Sequence, residues 1–171
     1  MHYLFIEQYY YQMKVLVFDF DGVLAITWTN PELHFPQIPA LLKALSKKHI
    51  LCVASYNPRA KIAIEAWDLH HHFTCIRAGA NHHWEGEYDE NVRADLCKSK
   101  QIVSMVDELK GLGHDIDDIM FFDDDTININ VVNEKLPHVT TVLINKYKGI
   151  RMEDVSFLTS CVTTTKLRSR S

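Results

Sequence analysis

Acidic residues follow two short apolar segments of this chain, at a spacing that suits metal-assisted chemistry. The carboxylates that follow the runs VLVF and IMFF are Asp19, Asp21, Asp123, Asp124 and Asp125. Alternate residues of a strand point the same way, so Asp19 and Asp21 can address one point, and Gly22 lets the chain turn away tightly. Crowded carboxylates repel one another and resist desolvation, so a hard cation such as Mg²⁺ would stabilise them. Solvated loop acids or helix N-caps would explain one such group, but two groups favour a shared site.

The elements that must position these acids are predicted from the alternation of β-branched runs and amphipathic segments. Strands are predicted at 15–20, 50–55, 73–77, 119–122 and 138–144. Helices are predicted at 39–48, 57–69, 99–112 and 126–136, the second of them with an N-cap at Asn57 and proline at N1. This order predicts an α/β fold: a doubly wound, three-layer (Rossmann-like) parallel sheet with helices on both faces. Active sites of such sheets lie at the carboxyl ends of the strands.

Composition limits the class of protein. The chain has 171 residues, 47% of them hydrophobic and 23% charged, which suits one globular domain. A net charge of −4 argues against general nucleic-acid binding, and no apolar run approaches the ~20 residues that cross a membrane. Four cysteines without C-x-x-C spacing favour a reducing, cytoplasmic compartment. We expect a leader at 1–12, a single domain at 13–155, a loop at 79–95 and a flexible tail at 156–171.

The motifs resemble those of the haloacid dehalogenase (HAD) superfamily of aspartate-nucleophile phosphatases. DFDGVL, which begins at Asp19, matches the first motif of that superfamily, D-x-D-G-[VT]-L. Ser55, which ends the run ILCVAS, takes the place of the Ser or Thr of the second motif. Asp123 and Asp124, with Asn128 beyond them, correspond to the acidic fourth motif. The spacing and the phrase FFDD are most similar to the small, capless magnesium-dependent phosphatase-1 group.

The third HAD motif is a lysine near the start of the helix that precedes the acidic strand. Lys98 and Lys100 both lie at the predicted start of that helix. Apolar residues follow Lys100 at 105, 106 and 109, a common pattern in the family, and this slightly favours Lys100. Lys98 shares a helical face with Ile102 and Met105, so it can also point inward. The alternative is that both lysines are solvated.

The resemblance implies a mechanism. Asp19 would attack phosphorus to form an aspartyl-phosphate, and Asp21 would protonate the departing oxygen and then deprotonate water. Mg²⁺, held by Asp19, Asp124 and the backbone carbonyl of Asp21, would offset the charge of carboxylate meeting phosphate. The residues expected to hold phosphate oxygens are Ser55, Tyr56, Asn57 and Lys100 or Lys98. The residues expected to support the metal shell are Asp123 and Asn128, whereas Asp125 is expected to cap the next helix or face water.

Substrate selectivity in HAD enzymes often comes from cap domains, and this chain has no room for one. The segments 22–54 and 56–99 leave no space for a folded cap beside the elements they must contain. The resulting open site suits a phosphomonoester on a bulky partner, such as phosphotyrosine in a protein, as well as a small ester. Trp28, His34 and Phe35 follow the first motif and either line the entrance or pack against the body.

Two other functions are compatible with these motifs. The first is a nucleic-acid 3′-phosphatase or nucleotidase, although basic residues cluster only near the carboxyl terminus. The second is a catalytically silent binding module on the same fold. The retained Asp19, Asp21, Ser55 and Asp124 favour an enzyme over a silent module.

Overall fold

The computed structural model describes residues 13–26, 32–79, 90–116 and 118–159, except for the side chains of 90–97 and 159. Its strands are β1 (Val15–Phe18), β2 (Ile50–Ser55), β3 (Cys75–Ala78), β4 (Ile119–Asp123) and β5 (Val139–Leu143). Its helices are α1 (Ile38–Leu45), α2 (Ala60–Ala66), α3 (Glu90–Gly111), α4 (Thr126–Lys135) and α5 (Met152–Thr159). The predicted leader, Trp28 and most of the predicted loop at 79–95 lie outside the described residues.

The sheet has the order β3-β2-β1-β4-β5, and every neighbouring pair of strands is parallel. β1 lies at the centre of this order. Its four residues are all buried, as expected of an apolar strand that is covered on both faces. From the central β1, the chain adds β2 and β3 on one side of the sheet and then β4 and β5 on the other. This confirms the predicted doubly wound α/β fold. No separate cap domain is present within the described part of the chain.

Helices cover both faces of the sheet and complete the three predicted layers. Leu16 and Phe18 of β1 face one core, which includes residues of α1, α2 and α5. Val15 and Val17 face the opposite core, which includes residues of α3 and α4. Alternation along one strand therefore feeds two separate hydrophobic cores.

Two helix starts differ from the prediction. α3 begins at Glu90, so the predicted loop was wrong over its last six positions, 90–95. α2 begins at Ala60, and no side chain caps it. The helix therefore begins later than predicted, but Asn57 makes the bond expected of a capping residue. Its Oδ1 accepts a hydrogen bond from the backbone N–H of Arg59 (2.9 Å), two residues on, in the turn just before the helix.

The last described helix, α5, continues past residue 155, where the sequence predicts the end of the domain. Val155 and Leu158 of this helix are buried in the core that α1 and α2 share. The Ser/Thr-rich composition of the following segment masked this apolar pair, whose spacing of three is helical. Among the described helices, none combines the length and apolarity that crossing a membrane requires.

Candidate active site at the carboxyl ends of β1 and β4

The register of the two central strands brings the two acidic motifs together. Phe18 of β1 pairs with Phe122 of β4, and Asp19 and Asp123 are the next residues of the two strands. The Asp19 backbone N–H donates to the Phe122 carbonyl (2.8 Å), which holds this end of the pair closed. Both side chains are buried, Asp19 at 7% exposure and Asp123 at 0%. Two carboxylates therefore lie at the edge of a hydrophobic core, as the sequence predicts.

Lys98 lies between these carboxylates. Its Nζ is 2.5 Å from Asp19 Oδ1 and 3.3 Å from Asp123 Oδ2, and it also donates to the Ala54 carbonyl (2.6 Å). The side chain is fully buried, so these partners replace its hydration. Burial alone would lower the pKa of Lys98, but the charges of Asp19 and Asp123 raise it above its ordinary value. The structure therefore favours the charged form of Lys98 in the interior.

The structure corrects the preference for Lys100. Lys98, Ile102, Met105 and Leu109 are all buried, and their spacing places them on the inner face of α3. Lys100 lies two residues further along the helix, about 200° around its axis, and is exposed. Both lysines were predicted to lie at a helix start, whereas Lys98 lies two turns inside α3.

Asp124 approaches the turn that follows β1. A Cβ atom added to Gly22 would lie 2.4 Å from Asp124 Cγ, and Gly22 has a positive φ of 74°. Glycine is therefore required twice over, for its backbone conformation and for the close approach of the carboxylate. Asp124 is half-buried and lines the cavity described below, so its carboxylate stays accessible.

Asp123 is held by its neighbours on the α4 side. Asn128 Nδ2 donates to both of its carboxylate oxygens (3.2 and 3.1 Å), and the Asp125 backbone N–H donates to Oδ1 (2.8 Å). Asp125 caps α4, since its own carboxylate accepts from the Ile127 N–H (2.8 Å). This confirms the first of the two expected roles of Asp125. Asp123 and Asn128 therefore form a fixed support behind Asp124.

The second-motif residues follow β2. The Ser55 hydroxyl accepts from the Asn57 backbone N–H (3.0 Å), and the Asn57 side chain donates to Asp21 Oδ1 (3.1 Å). Tyr56 lines the cavity, and its ring centroid lies 4.9 Å from Lys98 Nζ. The structure thus brings Ser55, Tyr56 and Asn57 to the same strand edge as Asp19 and Asp21.

Gln101 is a site residue that the sequence analysis missed. Its Nε2 donates to the carbonyls of Ser55 (3.1 Å) and Gly79 (3.3 Å), so it joins α3 to the ends of β2 and β3. It is 3% exposed, and its Oε1 has no hydrogen-bond partner among the described residues. A signal was present, because Gln101 lies three residues after Lys98 on the same helical face.

Burial perturbs the titration of the acids. Burial, opposed by Lys98 and assisted by Asp123, raises the pKa of Asp19 to about 7. Burial and the neighbouring Asp123 raise the pKa of Asp124 to about 6. Burial also raises the pKa of Asp21, against the hydrogen bond from Asn57. Ionising these acids together is therefore costly, and a bound cation would lower that cost.

A small divalent cation fits this cluster. Carboxylate oxygens of Asp19, Asp123 and Asp124 all lie within 4.8 Å of one another. Oxygens that share one Mg²⁺ ion at 2.0–2.1 Å are separated by no more than about 4.2 Å. Modest side-chain adjustment would therefore bring carboxylate oxygens of Asp19 and Asp124 onto one ion, beside the Asp123 carboxylate that Asn128 holds. The donor set is purely oxygen, which is the set that Mg²⁺ prefers.

Comparison with known proteins shows which family this chain belongs to. The model of a family described as "Protein of unknown function (DUF705)" matches residues 3–162. The chain belongs to this family. No curated protein matches its sequence.

Solved structures share the fold of this DUF705 chain at low identity. A haloacid dehalogenase-like hydrolase from Streptococcus pneumoniae has a TM-score of 0.55 and 14% identity, over 85% of this chain and 90% of its own. The HAD domain of effector Lem4 from Legionella pneumophila has a TM-score of 0.56 and 13% identity, over 90% of this chain and 98% of its own. The N-terminal, phosphatase-containing part of a Bacteroides fragilis protein, solved with Mg, has a TM-score of 0.62 and 20% identity. That match covers 89% of this chain and 41% of the other. The fold is thus that of HAD-like hydrolases.

The acids of the DUF705 chain open into a cavity of about 630 Å³. Its floor includes Asp19, Asp21 and Asp124, and its walls come from the turn after β1, α4 and the loop after β5. His34 lines this cavity, whereas Phe35 packs against the core and lies 5.0 Å below the Arg151 guanidinium. The segment after the first motif was expected either to line the entrance or to pack against the body. His34 does the first and its neighbour Phe35 does the second.

Proposed function

We propose that this chain is a Mg²⁺-dependent phosphomonoester hydrolase that forms an aspartyl-phosphate on Asp19. The observation that carries the proposal is the convergence of Asp19 and Asp124 at the floor of an accessible cavity, with the buried Lys98 ammonium in contact with Asp19. A nucleophilic carboxylate, further acidic groups and a buried cation are the parts that phosphoryl transfer to an aspartate needs.

Asp19 is the nucleophile in this mechanism. One of its oxygens forms the bond to phosphorus as the bond from phosphorus to the leaving oxygen breaks. Lys98 favours the ionised form of Asp19 through its 2.5 Å contact with Oδ1, which opposes the effect of burial. The same ammonium group lies close enough to the floor to offset charge on the transferring phosphoryl group.

Asp21 is the general acid and base. It gives a proton to the leaving oxygen in the first step and takes one from water in the second, when water attacks phosphorus and releases phosphate from Asp19. Burial raises its pKa, which favours the protonated form that the first step needs. The hydrogen bond from Asn57 holds its Oδ1 in place (3.1 Å).

Asp19, Asp124 and the backbone carbonyl of Asp21 are the proposed Mg²⁺ ligands, supported by Asp123 and Asn128. Bound Mg²⁺ would offset the repulsion between the nucleophilic carboxylate and the phosphate dianion. The Mg complex of the Bacteroides fragilis structure supports the choice of metal. Phosphate oxygens are assigned to Ser55, Lys98 and the backbone around Tyr56 and Asn57.

The substrate is a phosphate exposed on a larger partner, with phosphotyrosine in a protein as the leading candidate. The described part of the chain carries no cap over the cavity, so a bulky leaving group can remain outside. The similarity of the motifs to the magnesium-dependent phosphatase-1 group supports the same choice. The net charge of −4 disfavours a polynucleotide substrate.

The proposed location is the cytoplasm. Cys52 and Cys75 lie at paired positions of β2 and β3, and both are free and buried. Two neighbouring cysteines with no disulfide between them support a reducing compartment.

Hydrolysis of p-nitrophenyl phosphate tests the proposal. We expect turnover with Mg²⁺, loss of turnover with EDTA, and a loss of at least about 1,000-fold in Asp19→Asn. Asp125→Asn is the matched control, because it removes one negative charge at the same sheet edge and keeps a good N-cap residue. Activity that survives both EDTA and Asp19→Asn would contradict the mechanism, and a well-folded protein with no turnover of any phosphoester would favour a silent binding module.

A further inference from the structure

The mouth of the cavity differs from its floor. Three large apolar side chains line it and are nevertheless exposed: Ile26 at 49%, Ile127 at 56% and Tyr147 at 82%. They come from the turn after β1, the first turn of α4 and the loop after β5, three separate parts of the chain. Apolar side chains that converge on one opening are typical of a binding site for an apolar group.

The loop that carries Tyr147 is fixed. Asn145 Oδ1 accepts from the Tyr147 backbone N–H (3.0 Å), and the Asn145 carbonyl accepts from Lys148 and Gly149 (2.9 Å each). His34 Nε2 donates to the Lys146 carbonyl (2.6 Å), which joins this loop to the segment after β1. The mouth therefore has a held backbone, while Tyr147 presents its ring to the opening.

The mouth and the floor of the cavity also differ in the charge of their side chains. Lys146 is the only lysine or arginine among the described residues that line the cavity, and its Nζ lies 5.3 Å from the centre of the Tyr147 ring. The acids Asp19, Asp21 and Asp124 lie at the floor, where the proposed function places the phosphate and its metal, and the exposed Asp125 adds a fourth carboxylate to the lining. A second negative charge on the substrate would therefore meet Lys146 at the mouth and repulsion elsewhere.

We propose that Tyr147 and Lys146 form the subsite for the leaving group, and that this group is a phosphotyrosine ring followed by an acidic residue of the same peptide. This inference rests on the proposed function. The ring packs against Tyr147 with Ile26 and Ile127 as the other apolar walls, and the neighbouring carboxylate pairs with Lys146. A phosphoserine would bring no ring to these walls. A nucleotide chain would bring several phosphates to a mouth whose described lining residues include one lysine.

Steady-state kinetics on matched peptides test the subsite. The substrates are a phosphotyrosine peptide with acidic flanks, the same peptide with neutral flanks, its phosphoserine counterpart, a 3′-phosphorylated oligonucleotide and β-glycerol phosphate. We expect Tyr147→Ala to lower kcat/KM for the acidic phosphotyrosine peptide about tenfold more than for β-glycerol phosphate, chiefly through KM, and Tyr147→Phe to restore it. Lys146→Ala should remove most of the preference for acidic over neutral flanks and weaken its salt dependence.

Lys148→Ala is the matched control, because Lys148 is exposed in the same turn but does not line the cavity. It should retain the full preference for acidic flanks. An unchanged ratio between phosphotyrosine peptide and β-glycerol phosphate in Tyr147→Ala would overturn the inference, as would a higher kcat/KM for the oligonucleotide. Both of these results leave hydrolysis intact, whereas loss of turnover on every substrate in the unmodified protein would contradict the proposed function itself.

Discussion

Lys98 Nζ lies 2.5 Å from Asp19 Oδ1, although 79 positions of the sequence separate the two residues. Both side chains are buried, so the charge of each one offsets the cost of burying the charge of the other. The contact joins the inner face of α3 to the end of the central strand. It also places the Lys98 ammonium group beside the carboxylate that we propose as nucleophile, where charge on a phosphoryl group would develop.

Replacing Lys98 by Met should damage both stability and activity. The change leaves Asp19 and Asp123 without their buried cation, which should cost about 3–5 kcal/mol of unfolding free energy. Turnover should fall at least about 100-fold even where circular dichroism shows the variant to be folded. Urea unfolding and p-nitrophenyl phosphate hydrolysis measure the two effects. Lys100→Met is the matched control on the exposed face of the same helix, and equal losses in both variants would contradict the assignment.

Asp21→Asn should separate the two chemical steps. p-Nitrophenolate leaves without a proton, so the first step should still occur, whereas the second step loses its base. We expect a rapid release of about one p-nitrophenol per enzyme followed by near arrest. Stopped-flow absorbance measures this burst. Steady turnover at the unmodified rate would exclude Asp21 as the acid and base.

Gly22→Ala should disturb Asp124 more than an ordinary glycine replacement does. The new Cβ would lie 2.4 Å from Asp124 Cγ, and the positive φ of 74° adds backbone strain. Gly113→Ala is the control, because Gly113 has a φ of 87° and nothing within 4 Å of the added Cβ. Gly113→Ala should cost about 1 kcal/mol and leave Mg²⁺ affinity unchanged. Gly22→Ala should weaken Mg²⁺ binding in calorimetry, and equal affinities in the two variants would argue against Asp124 as a ligand.

Stability of the metal-free protein should depend on pH with a defined sign. The pKa of Asp19 is raised from 3.8 to about 7 and that of Asp124 to about 6. The folded state therefore binds more protons than the unfolded state between about pH 4 and 7, and stability falls as pH rises through this window. In EDTA we expect a higher Tm near pH 5 than near pH 7.5. Added Mg²⁺ should raise Tm more at the higher pH, because it binds the ionised carboxylates. An equal Mg²⁺ effect at both values would contradict a carboxylate site.

Much of the fold was predictable because the three inner strands, β1, β2 and β4, are buried on both faces. Continuous apolar runs of this length, such as ILCVAS, are typical of inner strands of a covered sheet, and β2 spans Ile50–Ser55 as predicted. α5 was missed because its two buried residues, Val155 and Leu158, are too few to outweigh polar neighbours. The start of α3 was missed because the segment before Lys98 is polar and lacks a helical apolar period.

The acids of the site were predictable because they follow strand ends, where topology alone brings them together. The choice between Lys98 and Lys100 was not, since it depends on the phase of α3 against the sheet rather than on local pattern. Gln101 was missed because its partners are the backbone carbonyls of Ser55 and Gly79, which no sequence motif records. Tyr147 belongs to a loop whose place at the cavity depends on the packing of the whole sheet.

Trapping the covalent intermediate tests the central claim most directly. The active protein is mixed with p-nitrophenyl phosphate and Mg²⁺, quenched in acid, reduced with borohydride and digested for peptide mass spectrometry. An aspartyl-phosphate is reduced to homoserine, and we predict homoserine at position 19, dependent on substrate and absent in Asp19→Asn. Active protein in which Asp19 stays unmodified, or in which another side chain carries the phosphate, would contradict the mechanism.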